Sequence, residues 1–437
     1  MTQSCRSVPG GIEESALGYR APEDADGSAQ EPATAGPEAA RVRRRILLVQ
    51  TLLKPHGGSF AVTAWVMQAL AKDYDVTLLT LRPVDLSALD VHFGTSLCEL
   101  RIKIKTVSPF LRSVLGLDPD DESIQPSLWV QRIAKRIRHR YDLVFSTEME
   151  SDLGGGGMQY LHAPWLEHVY PHVRRSCDLP WMSKVAAVLK GEIQPWMLVG
   201  DYSFDRMVKN LTLCNSDWTA GRLRALYGIE ATTVYPPAPG VYPRVPWQER
   251  SNGVISIGRL TVDKRFEFMI EQLAALRVDV PDLTYHIVGS TNPKTHKTEF
   301  YRRLLRAVQA NSHWITLHED ASRQELAEVA SSQRYGLHAM VDEHFGIAAA
   351  EMVRAGCIPF VHNSGGQVEI VDGDEQLIFN DDELAGKMKR VVRDASKQET
   401  IRAALGVRAA LFTPEHFMSE TCRLVRSALS ENRMGAS

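Results

Sequence analysis

The 437-residue sequence is short of paired thiols, long apolar runs and net charge, and each shortage removes a class of protein. Its six cysteines (Cys5, Cys98, Cys177, Cys214, Cys357 and Cys422) are scattered, and none forms a C-x-x-C pair. That argues against a disulfide framework or a zinc site and fits a reducing compartment. No apolar stretch reaches the roughly 18 residues that a membrane-crossing helix needs. The first 40 residues are rich in Ala, Pro, Glu, Gly and Ser and lack an apolar leader core. They read as a disordered tail on a cytoplasmic protein. A net charge of -3 carries no excess of cations for gripping nucleic acid, so no nucleic-acid partner is expected.

What is present is ample apolar material, 44% of residues, in a chain too long for one common-sized domain. Apolar runs alternate with helical periodicity. Ile46–Gln50, Val76–Thr80, Ile102–Val107, Leu143–Ser146, Tyr160–His162 and Leu211–Cys214 read as buried strands. The densest ordered proline cluster, Pro236–Pro243, then marks a linker, and the pattern restarts. Val254–Ile257, Tyr285–Val288, Trp314–Leu317, Gly336–Met340 and Ile358–Val361 read as a second set of strands, with a helix from Arg323 to Ala330. The fold class is therefore α/β, with two tandem doubly wound Rossmann-like domains facing a central cleft. The boundaries are a tail over 1–40, an N-terminal α/β domain over 41–240, a C-terminal α/β domain over 241–410, and a C-terminal helix over 411–437 crossing back to the first domain.

The most informative segment is Glu343-His344-Phe345-Gly346-Ile347-Ala-Ala-Ala-Glu351. Read as a loop opening a helix, it offers the free N–H groups of Phe345, Gly346 and Ile347 to an anion. Glu351 lies about two turns on, among Ala349, Ala350, Met352 and Val353. A carboxylate in so apolar a setting calls for partners. Together these groups suit a sugar hydroxyl, a phosphate and a ribose diol.

Gly57-Gly58 after the first strand, Gly258-Arg259 with Lys264, Gly289, the Glu343-x7-Glu351 pair and Asn363-Ser-Gly-Gly366 resemble the family 4 retaining glycosyltransferases of GT-B fold. The form Glu343-His-Phe-Gly-Ile, with Gln159-Tyr-Leu-His162-Ala-Pro and Val234-Tyr-Pro-Pro237, is similar to GDP-mannose-dependent α-1,2-mannosyltransferases. The resemblance implies that Arg259 and Lys264 hold the donor diphosphate, one as a planar fork and the other as a point charge. It implies that Glu343 meets donor-sugar hydroxyls, that Glu351 accepts from the ribose, and that His162 lies near the donor sugar. Gly57 and Gly58, like Gly258 and Gly289, would let backbone approach the donor, with His344 beside the sugar. The implied co-substrate is a sugar nucleotide, GDP-sugar over UDP-sugar, with no resident cofactor and no metal. The acceptor is a glycan, a lipid-linked saccharide or a small molecule. An epimerase or phosphorylase on the same fold, or a non-catalytic nucleotide-sugar-binding subunit, are the alternatives.

Other signals carry less. Asp73-Tyr-Asp75 and Asp372-Gly-Asp374 spell D-x-D but fall in turns, where carboxylates are common. Gly154–Gly157 lacks the Gly-Lys-Ser/Thr ending of a phosphate loop and reads as a flexible loop, with a lid over the acceptor as the functional alternative. Asn210-Leu-Thr212 is a formal glycosylation sequon entering a buried strand. The basic helix Trp129–Arg140 and the stretch Val185–Leu198 are candidates for peripheral contact with the cytoplasmic face of a membrane, the alternative being that their apolar stripes cover the sheet.

Overall fold

Ile46, Leu47, Leu48 and Val49 are all fully buried in the computed structural model, and successive residues enter different cores. Ile46 and Leu48 pack with Val62, Trp65 and Val66 of helix α1 (Gly58–Ala71). Leu47 and Val49 pack with Val130 and Ala134 of helix α2 (Ile124–Ile137) on the opposite face. The two-residue side-chain period of a strand covered on both faces explains the unbroken apolar run. The structure describes residues 43–115, 117, 124–167, 180–190, 201–292 and 294–434. The N-terminal tail over 1–40, residues 191–198 of the second membrane-contact candidate, Cys5 and Cys177 lie outside the described residues.

The first sheet contains β1 (Arg45–Val49), β2 (Asp75–Thr80), β3 (Ile102–Thr106), β4 (Leu143–Ser146), β5 (Met158–Leu161), β6 (Leu211–Cys214) and β7 (Ala231–Thr233), in the order β3-β2-β1-β4-β5-β6-β7. The second contains β8 (Ser251–Arg259), β9 (Thr284–Ser290), β10 (Ile315–Glu319), β11 (Gln333–His338), β12 (Ile358–His362) and β13 (Ile378–Phe379), in the order β10-β9-β8-β11-β12-β13. Every described pairing in both sheets is parallel. In each sheet the strand order reverses beside the first strand, between β1 and β4 and between β8 and β11. Ligands of such sheets bind at the carboxyl ends of the strands flanking that reversal.

The proline run over 236–243 joins β7 to β8, anchored where the Ala238 N–H donates to the Phe412 carbonyl at 2.9 Å. The last helix, Pro414–Met434, returns to the first sheet. Its Phe417 and Val425 are buried in the core that holds Ile46 and Trp65, and its Cys422 thiol lies 3.4 Å from the Ala69 carbonyl of α1.

Three secondary readings are settled by these contacts. Gly154–Gly156, all with positive φ, precede the amino end of β5, opposite to the carboxyl ends where the cleft lies. Arg138 donates to the Gly154 and Gly155 carbonyls, so the run is a clasped turn and not a lid over the acceptor. The Asn210 side chain is buried, donating to the Ser151 carbonyl at 2.7 Å and accepting from the Gly157 N–H at 3.1 Å. The apolar stripe of α2 is spent on the sheet through Leu128, Val130 and Ala134. No helix among the described residues is long and apolar enough to cross a membrane.

Candidate active site

Two charged side chains meet at the reversal of the second sheet. Lys264 follows the carboxyl end of β8 and Glu343 follows that of β11. Lys264 Nζ lies 2.6 Å from Glu343 Oε2, with both side chains mostly buried. His338, the last residue of β11, adds its Nε2 at 3.2 Å from the same oxygen. Burial alone would raise the Glu343 carboxyl pKa. The His338 hydrogen bond and the Lys264 charge overcome that and hold it well below the usual carboxylate range. Arg259, the last residue of β8, is exposed and has no ion pair or side-chain hydrogen bond among the described residues. Among the described residues the crevice thus sets the paired Lys264 ammonium near an Arg259 guanidinium without a side-chain partner.

The loop that carries Glu343 is shaped by glycines. Gly365 adopts φ +74°, and a Cβ there would lie 2.1 Å from the Glu343 carbonyl oxygen. At Gly366 a Cβ would meet the His344 carbonyl at 2.3 Å. The Gly-Gly pair is therefore a saddle over the Glu343-His344 backbone, closed by the Gly366 N–H on the Glu343 carbonyl at 2.8 Å. Gly346, at φ +96°, turns the chain into helix α5, which begins at Ile347 and runs to Arg354; helices α3 and α4 are Asp217–Tyr227 and Arg323–Ser332. Among the described residues the N–H groups of Phe345, Gly346 and Ile347 meet no acceptor, so they remain available to an anion.

The first sheet faces this loop directly. A Cβ on Gly58 would come within 2.8 Å of Ile347 Cδ1, so the Gly57-Gly58 turn (Gly57 at φ +99°) abuts the start of α5. Ser216 Oγ, from the cap of α3, donates to the His344 carbonyl at 2.5 Å. The His344 ring packs edge-on against Trp218 at 5.4 Å. Glu369 accepts the N–H groups of Asp217 at 2.9 Å and Trp218 at 2.8 Å, capping α3 from the other sheet. His162 stands one residue beyond β5, with Nε2 3.2 Å from the Thr147 carbonyl. Burial drives its pKa down to about 4, leaving a neutral imidazole that donates from Nε2 and keeps Nδ1 as an acceptor.

Glu351, 5% exposed, is held by Arg323 Nη1 on Oε1 at 2.6 Å. Gly258 lies under the Lys264 side chain, whose Cγ and Cδ would be 3.5 Å from an added Cβ.

Residues 243–406 match the family model "Glycosyl transferases group 1". The second sheet is a group 1 glycosyltransferase domain. Over 42% of this chain the sequence is 26% identical to the GDP-Man:Man(3)GlcNAc(2)-PP-Dol alpha-1,2-mannosyltransferase of Dictyostelium discoideum, covering 39% of that protein. The human protein of the same name is 24% identical over 54% of this chain and 51% of its own length. The chain thus spans about half or less of the curated relatives that it matches. Among solved structures, sucrose-phosphate synthase from Thermosynechococcus elongatus superposes with a TM-score of 0.62 at 19% identity, covering 89% of this chain and all (100%) of that one. Anabaena HepE in complex with UDP-glucose gives 0.59 at 14% identity, over 88% and 100% of the two chains. These likenesses establish the fold: GT-B architecture.

Packing and ion pairs engage several residues of the sequence motifs. Gly289 is required by packing, since a Cβ there would meet Leu260 Cδ2 at 2.3 Å. Phe345 does not open the helix; its ring is 2% exposed and stacks on Tyr235 at 5.6 Å, leaving only its backbone to the crevice. Asp73 pairs with Arg426 at 3.2 Å and Asp372 with Arg408 at 2.8 Å. Four residues of the site went unread in the sequence: Ser216, Arg323, His338 and Glu369. Arg323 had a usable signal, because Ser322 caps a helix that follows the carboxyl end of β10. Ser216 caps α3 locally through the Thr219 N–H, but its bond to His344, like those of Glu369, crosses between the sheets, where no local pattern reports it.

Proposed function

We propose that the chain transfers a hexose, mannose favoured, from a nucleoside-diphosphate sugar to a hydroxyl of a glycan, lipid-linked or small-molecule acceptor, with retention of configuration. The observation that carries this reading is the Lys264–Glu343 pair at the reversal of the second sheet, beside the free Arg259 and the open N–H groups before α5. As the glycosidic bond breaks, negative charge grows on the departing diphosphate. Preorganised cations and N–H groups stabilise that charge, one such donor typically supplying about 3 kcal/mol. Lys264 has three N–H donors, so it can keep Glu343 and still reach a phosphate oxygen. Glu343, kept ionised, accepts from a donor-sugar hydroxyl, and His162 Nδ1 offers a second acceptor from the facing sheet.

The names of the curated relatives support GDP and mannose over other bases and sugars. Arg259 and Lys264 supply the charge that a divalent ion brings elsewhere, which supports metal-independent transfer. Retention follows from front-face attack, the donor phosphate helping to take the acceptor proton, so no protein nucleophile is assigned. A lipid-linked acceptor would suit peripheral placement at the cytoplasmic face of a membrane.

Nucleotide release from a panel of GDP-, UDP- and ADP-sugars, with and without chelator, tests the reading. Turnover of GDP-mannose that survives chelation, giving an α-configured product, is the expected result. Silence across the panel, or an inverted product, overturns it.

A further inference from the structure

We propose that Arg323 is a positioning residue for the donor ribose, fixing Glu351 so that one carboxylate oxygen is presented to the ribose hydroxyls. The assignment rests on reading the crevice as a nucleotide-sugar site. Arg323 opens α4 directly past the carboxyl end of β10, on the same side of the sheet as Lys264 and Glu343. Its Nη1 donates to Glu351 Oε1 at 2.6 Å, and its Nη2 donates to the Pro239 carbonyl in the run that joins the sheets. That carbonyl also accepts from the Tyr242 hydroxyl at 3.1 Å, while Arg354, three residues past Glu351, donates to the neighbouring Ala238 carbonyl.

The guanidinium is therefore gripped at both ends, by a carboxylate on one side and main chain on the other. A planar fork so held cannot rotate without losing one of its bonds. Glu351 is itself only 5% exposed, which leaves its side chain little room to swing. Oε1 is occupied by Arg323, whereas Oε2 meets no donor among the described residues. A carboxylate placed in apolar surroundings needs a partner of opposite charge beside it. Arg323 supplies that charge and leaves the second oxygen to accept from O–H donors. A site built to accept from a hydroxyl rejects an analogue that lacks it, since the acceptor is then left buried and unpaired.

The test uses the full chain and calorimetric binding of GDP, UDP and ADP, each beside its 2′-deoxy counterpart, taking the tightest pair forward. The wild type should prefer the ribonucleotide by ~10-fold or more. Arg323→Gln, with an unchanged circular dichroism spectrum, should weaken ribonucleotide binding ~10-fold and bring the ribose/deoxyribose ratio close to one. Arg323→Lys should recover part of that ratio, and Arg323→Gln/Glu351→Gln should bind no more weakly than Glu351→Gln alone. A folded Arg323→Gln protein with undiminished ribose preference overturns the assignment. A wild type that binds no nucleoside diphosphate overturns both this and the donor-site reading. A wild type that turns over no sugar nucleotide, yet shows a ribose preference that Arg323→Gln abolishes, overturns the transferase reading alone and still supports Arg323.

Discussion

Lys264 Nζ and Glu343 Oε2 stand 2.6 Å apart across the gap between β8 and β11, and His338 Nε2 lies 3.2 Å from the same oxygen. The arrangement keeps a buried carboxylate ionised and holds an ammonium beside it, which the proposed transfer would set against the departing diphosphate. Lys264→Ala should therefore lower kcat by ~10²- to 10³-fold, the usual loss on removing one transition-state donor. Glu343→Gln should also lower kcat, because the amide removes the charge that holds the ammonium. The two residues share one interaction, so the double variant should lose less than the product of the single losses. Steady-state kinetics on the preferred donor checks all three, and strict multiplicativity would show that the pair does not act as a unit.

Gly58 touches α5 across the cleft, and an added Cβ would lie 2.8 Å from Ile347 Cδ1. Such an approach forces the side chain or the facing turn to move. Gly58→Ala should raise the donor KM and lower kcat together, by ~10-fold in kcat/KM, as expected when reacting groups are displaced slightly. Ile347→Ala in the same protein removes the obstructing methyl and should return most of the activity. Recovery in the double variant, read by kcat/KM, separates a steric fault from a general loss of fold.

The strands and the crevice were legible because their signals are local. A buried parallel strand announces itself in Ile46–Val49, and a Gly-Gly saddle or an eight-residue carboxylate spacing fits inside one short window. Two strands carry no such signal. β7 is only Ala231–Thr233, with two of its three residues polar, and β13 is only Ile378–Phe379, too short for any period to register. The residues that complete the site are legible only after folding. Arg323 stands 28 residues from Glu351, and Ser216 stands 128 from His344, so their bonds follow from the sheet order and not from spacing. Gly289 and Phe345 each answer to packing as well: Leu260 stands where a Gly289 Cβ would be, and Tyr235 stacks on the Phe345 ring while the Phe345 N–H stays open among the described residues.

Glu369 caps α3 from the opposite sheet, accepting from Asp217 N and Trp218 N, and Tyr235 Oη lies 3.1 Å from its second oxygen. Removing a helix cap typically costs about 1 kcal/mol, and more when buried donors are left unpaired. Glu369→Ala should lower stability by ~1–2 kcal/mol in urea denaturation. Ser216→Ala, which removes the hydroxyl on the His344 carbonyl, should cost ~1 kcal/mol. A Glu369→Ala protein as stable as the wild type would show that this bridge between the sheets carries no weight.

Glu150 gives the pH prediction. It is wholly buried behind the loop that follows His162, accepting on Oε1 from Tyr227 Oη at 2.9 Å and from the Leu166 N–H at 3.2 Å. Its Oε2 is buried and meets no partner among the described residues. Burial pushes the carboxyl up to about 7, against an ordinary 4.5, the hydrogen bonds only partly offsetting it. The folded state therefore holds this proton more tightly than the unfolded chain. Its contribution to stability is complete below about pH 4.5 and is lost as pH rises through about 7. Glu150→Gln has the shape of the protonated acid and cannot ionise. It should match the wild type within about 1 kcal/mol near pH 5 and exceed it above pH 8 by up to about 3 kcal/mol, the linkage value of such a shift. Urea denaturation of both proteins at several pH values between 5 and 9 reads the difference directly. A gap that stays constant across that range would mean that Glu150 is ionised in the fold throughout, and that its lone oxygen is satisfied in a way that these contacts do not provide.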